Sequence, residues 1–137
     1  MGVGVMVSAF NSYQLGFGIN ITIEQINEIN TYRQDRSYVE TDAATFLNGS
    51  TKKQPLTESP FLRMLEHGQG KDGYWTYNHM VLQVEDVVDC MTVLFPDQDE
   101  PTRCHFDLAF ELDHSSGHSK DRVDGLSTVS SILNTGY

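Results

Sequence analysis

The sequence predicts an α/β layer, central strands with packing helices, within a single domain spanning residues 1–137. Three observations predict it. The short apolar run from Val3 to Phe10, rich in small residues, reads as a buried strand. Apolar residues at i, i+3, i+4 and i+7 between Tyr77 and Leu94 read as a long amphipathic helix. Phe106, Leu108, Phe110 and Leu112 then alternate with Asp107, Ala109 and Glu111, the period-two pattern of a strand with one buried face.

The intervening elements follow in order. Asn11-Ser12 and Gly16-Phe17-Gly18 mark a turn or loop. Thr22-Ile23-Glu24-Gln25 has the form of a capping box, in which Thr22 caps backbone N–H groups and Gln25 reaches back. Ile23, Ile26, Ile29 and Tyr32 continue at helical spacing, which predicts a helix from residue 22 to about 34. A shorter helix is expected from Thr41 through Leu47, closed by Asn48-Gly49. Ser59-Pro60 reads as an N-cap with proline in the first turn, which predicts a brief helix over residues 61–67, stopped by Gly68. Three glycines between Gly68 and Gly73 read as a surface loop, since neither phosphate-binding glycine pattern is present between a strand and a helix. On the 77–94 helix, Glu85, Asp86 and Asp89 fall largely off the apolar stripe and read as a solvated face. Pro96 ends that helix, and residues 97–102 form an acidic loop.

Composition limits the function. Hydrophobic residues at 39% and charged residues at 20% place the chain among globular domains. No run approaches the roughly 20 apolar residues of a membrane span. The first residues lack the basic region of a signal peptide. The formal charge is −10, and the nine basic residues are scattered, with only Lys52-Lys53 adjacent. Such a field repels phosphate, so tight DNA or RNA binding by this chain alone is not expected. Cys90 and Cys104 are expected to be reduced.

Chemistry gathers where the last apolar run ends, at Asp113-His114-Ser115-Ser116-Gly117-His118. Asp113 reads either as a catalytic or metal-binding acid at the end of a strand or as a cap for loop backbone. Glu111 shares its alternate face and lies near enough in sequence for both carboxylates to meet one cation. His114 and His118 are four apart, but Ser-Ser-Gly between them argues against a helix. A zinc site there would need further ligands, with Cys104, His105 or Asp113 nearest in sequence. Ser115 and Ser116 lack the GxSxG context of a hydrolase nucleophile.

The string Phe110-Glu111-Leu112-Asp113-His114-Ser115-Ser116-Gly117-His118 resembles transposon-derived proteins of the DDE-endonuclease type. So do Gly73-Tyr74-Trp75-Thr76-Tyr77-Asn78-His79-Met80 and the helix after it. Met6-Val7-Ser8-Ala9-Phe10 and Arg122-Val123-Asp124-Gly125-Leu126 are similar to flanking parts of the same proteins. The resemblance implies an RNase H-like layer and Mg²⁺-dependent cutting and joining of DNA, with three carboxylates holding two metal ions. It implies that Asp113 is the second of those acids, with His114 and His118 as accessories and Glu111 as a weak additional ligand. It also implies that the first acid lies upstream of Met6 and the third beyond Tyr137. The expectation is therefore an incomplete, inactive core. The alternative is a non-catalytic interaction module that binds a protein partner or itself through surface left open by missing strands. A role inherited from the family would be nuclear.

Overall fold

The computed structural model describes residues 4–35, 42–50, 53–67 and 75–112. Its elements are mixed: three helices and two small antiparallel sheets. Strand β1 (Gly4–Ala9) is followed by a short hairpin of two-residue strands, β2 (Asn11–Ser12) and β3 (Gly16–Phe17). Helices α1 (Ile23–Asp35) and α2 (Asp42–Asn48) precede strand β4 (Leu62–His67), and α3 (Tyr77–Leu94) closes the order. No described helix is long and apolar enough to cross a membrane.

The local signals for helices act as expected. The Thr22 N–H donates to Gln25 Oε1 at 2.9 Å and the Gln25 N–H to Thr22 Oγ1 at 3.1 Å, a closed capping box at the start of α1. Gly49, at φ +66°, ends α2 and donates its N–H to the Thr45 carbonyl at 3.0 Å. The left-handed conformation costs glycine nothing and a side-chain-bearing residue more. At α3 the Thr76 N–H donates to His79 Nδ1 at 3.1 Å, so a histidine takes the place usually held by Glu or Gln.

Two expectations are corrected. Residues 62–67 form a strand, not the brief helix expected after Ser59-Pro60. Ser59 Oγ donates to the Ile19 carbonyl at 2.6 Å instead of opening a helix. β4 pairs antiparallel with β1 in the register Val7↔Met64 and Ser8↔Arg63, and the six-residue ladder outweighs a weak local cap. Residues 106–112, in turn, belong to none of the described strands. The burial still alternates: Leu108, Phe110 and Leu112 are half-buried, whereas Asp107, Ala109 and Glu111 are exposed. Phe106 is 42% exposed and meets Phe95 edge-on, so it does not continue the covered face. Side-chain pattern reports burial, but a strand also needs a hydrogen-bonded neighbour, and residues 106–112 have none among the described elements.

The core lies between α3 and the elements laid on it. Both α1 and α2 pack on α3. Ile26, Ile29, Leu56, Phe61, Val87, Cys90 and Met91 form one buried cluster. Met80 and Val84 centre another, reached by Phe10, Trp75, Phe110 and Leu112. The β1–β4 sheet turns Ser8 and Arg63 toward α3 and leaves Val5, Val7 and Met64 outside, at 53%, 59% and 67% exposure. The three-glycine stretch from Gly68 lies outside the described residues.

Candidate functional site

Two places on α3 carry polar or open structure. On one side, Asp86 is 3% exposed. Its Oδ1 accepts from Arg33 Nη1 at 2.8 Å and its Oδ2 from Arg63 Nη2 at 2.8 Å. One turn on, Asp89 Oδ2 accepts from Lys53 Nζ at 2.8 Å and stands 3.7 Å from Arg33 Nη1. The acids expected on a solvated face are thus drawn inward. Guanidinium groups from α1 and β4 replace the water that Asp86 loses, which makes burial of the carboxylate tolerable. These carboxylates are taken by cations of the chain itself.

Beside this network, Gln83 is fully buried. Its Oε1 accepts the Ser8 hydroxyl, and its Nε2 donates to the carbonyls of Ser8 and Pro60 at 3.0 Å each. One amide therefore ties β1 and the entry to β4 onto α3. The signal was present in the sequence: Gln83 sits between Met80 and Val87 within the apolar stripe, where a polar side chain must find partners. Cys90 lies on the same face. Burial first, then the charges of Asp86 and Asp89, push its thiol up to about 12, so it stays protonated and unreactive at neutral pH.

On the other side, among the described residues, a groove of about 870 Å³ runs between β1 and residues 108–112. Met80, Val87 and Met91 of α3 contribute to its lining. Phe10 and Phe110 meet there edge-to-face, with ring centroids 5.6 Å apart.

Of the expected site residues, Glu111 is exposed on the wall of this groove. Asp113, His114 and His118 lie outside the described residues. Glu111 is carried on a segment that is not a strand, so a shared strand face with Asp113 is not what orients it. Of the nearest sequence candidates for a zinc site, the Cys104 thiol donates to the Met91 carbonyl at 3.5 Å, the exposed His105 ring meets Phe106 edge-on, and Asp113 lies outside the described residues. Two-metal chemistry needs three convergent carboxylates. Among the described residues no group of three or more His, Cys, Asp or Glu could hold a metal ion, and Asp86 and Asp89 are already paired. The described residues do not fit a Mg²⁺ pair.

Comparison with family models, curated proteins and solved structures finds no match.

Proposed function

We propose that this chain derives from the catalytic core of a DDE-type transposase and does not cut DNA on its own. One observation supports the reading most. Three stretches that carry the resemblance, far apart in sequence, meet in one apolar cluster: Phe10, Trp75 with Tyr77 and Met80, and Phe110 with Leu112. The Trp75 N–H also lies 3.4 Å from the Met6 sulfur. A core that builds an active site at the end of residues 106–112 needs those pieces together, because Phe110 and Leu112 anchor the approach to Asp113. On this reading Asp113 is the inherited second acid, His114 and His118 accompany it, and Glu111 is a weak neighbour. Mg²⁺ and DNA belong to the reading through the family, as does a nuclear location. No catalytic step is assigned, because the described carboxylates do not make a two-ion site.

The test is nicking of supercoiled plasmid by the purified chain in Mg²⁺, beside the Asp113→Ala variant. No cleavage by either protein is expected. Cleavage abolished by Asp113→Ala would overturn the inactivity, and cleavage that survives it would overturn the assignment of Asp113. Genomic sequence on either side of the reading frame tests the ancestry separately: absence of codons for an upstream and a downstream acidic segment of the same type would count against it.

The open apolar face of the β1–β4 sheet favours a second reading, a non-catalytic module that associates with a protein partner or itself. Val5, Val7 and Met64 are exposed together there, with Val7 and Met64 directly paired. Sedimentation velocity of the chain and of Met64→Lys tests it; identical monomeric profiles over a wide concentration range would sink self-association.

A further inference from the structure

The groove beside β1 has walls of consecutive residues: Met6 to Ala9 on one side and Leu108 to Leu112 on the other. Side chains along an extended chain alternate between two faces, so a surface lined by successive residues follows its edge. Among the described residues β1 is paired with β4 on one edge only, which leaves a row of backbone N–H and C=O groups without a described strand partner on the other. Residues 108–112 show the alternating burial of an extended segment and belong to no described strand or bridge. The edge of β1 and the 108–112 segment thus border one groove, with methionine and valine side chains of α3 among its lining.

We propose that this groove accepts one extended polypeptide strand from a protein partner, bonded through its backbone to the free edge of β1 and to residues 108–112. The layer would then read β4, β1, guest strand, residues 108–112, with the guest about 4.8 Å from each neighbour. Backbone edges call for a polypeptide, since strand addition satisfies N–H and C=O groups in alternation and small apolar ligands do not. The apolar lining from α3 selects alternate apolar side chains on the guest. Charge selects further: Glu111 is the one charged residue lining the groove among those described, and the chain carries −10 overall. The guest therefore bears a lysine or arginine toward Glu111, and a polyanion is repelled. At about 3.3 Å per residue, a guest of roughly five to seven residues spans the walls. The inference deepens the interaction-module reading and is independent of transposase ancestry.

The probe is a fluorescein-labelled heptapeptide that alternates valine with threonine and ends in lysine, followed by fluorescence polarisation. Saturable binding is expected. The same peptide N-methylated at alternate residues, which cannot donate along one edge, is expected to bind about tenfold more weakly or worse. Ala109→Trp, a change at an exposed residue lining the groove, is expected to cost a similar factor while leaving the circular dichroism and Tm unchanged. Glu111→Lys is expected to shift preference toward a glutamate-ended peptide. Absence of saturable binding, equal binding of the N-methylated peptide, or indifference to Ala109→Trp would each overturn the proposal. So would a dimer that peptide does not dissociate, because a second copy would then hold the groove. Met64→Lys separates the two claims: loss of self-association with peptide binding intact removes the sheet face from the interaction and leaves the groove assigned.

Discussion

The two sides of α3 solve opposite problems. Toward α1 and β4, most polar groups are buried and paired: Asp86 between two arginines, Asp89 on Lys53, and Gln83 across β1 and Pro60, with Arg33 Nε left without a hydrogen-bond partner among the described residues. Toward residues 108–112, apolar side chains border open space, and backbone edges lack strand partners among the described residues. Satisfied buried polar groups fix one arrangement and punish every other. An apolar groove with backbone edges commits to no arrangement until something enters it. A small domain can thus hold one flank rigidly in register and keep the other receptive.

If that contrast is right, substitutions should divide by side. Asp86→Ala should have the largest effect, a loss of about 3–5 kcal/mol in urea unfolding, because two guanidinium groups are left without their carboxylate and Arg33 stays buried. A loss under about 1 kcal/mol would mean that water already reaches the network. Gln83→Leu comes next, at about 1–3 kcal/mol, since the carbonyls of Ser8 and Pro60 lose a buried donor while the apolar volume is kept. Cys90 gives an effect confined to alkaline solution. Its thiol titrates near 9.0 when exposed and near 12 in the fold, so the native state holds its proton longer than the unfolded chain. Stability is then complete below about pH 9 and falls as pH rises toward 12, by about 1.4 kcal/mol per unit. Comparing Cys90→Ala with the parent from pH 8 to 11 isolates this slope, and parallel curves would contradict it. On the groove side, Ala109→Trp should change stability by no more than about 0.5 kcal/mol, as expected of an exposed position. A larger loss would show that the groove is filled in the free protein and would break the contrast.

The helices were legible in the sequence because their signals are local. Thr22 and Gln25 lie three residues apart, Gly49 adjoins the turn it ends, and the α3 stripe repeats over five turns. β4 was not, because its reason for being a strand is β1, more than fifty residues away. The same distance hid the burial of Asp86: helical spacing set it off the apolar stripe, and nothing near it in sequence announces Arg33 or Arg63. Residues 106–112 show the complementary limit. Alternation at Leu108, Phe110 and Leu112 correctly foretold which side chains are covered, but pairing is a property of two segments and cannot be read from one. Of the site, Glu111 was legible as an exposed acid on the approach to Asp113. The groove was not, since it is made by residues from opposite ends of the described chain.

Asp86 also sets a condition on the order of folding. Its partners arrive from residues 53 and 23 positions earlier in the chain, on separate elements. A partly folded state that seats α3 against only one of them would desolvate the carboxylate with half of its compensation missing, the least favourable way to bury a charge. Intermediates that bury Asp86 with either α1 or β4 absent are therefore penalised, which couples the docking of the two elements on α3. A contact that is costly until complete favours concerted docking of the elements that complete it.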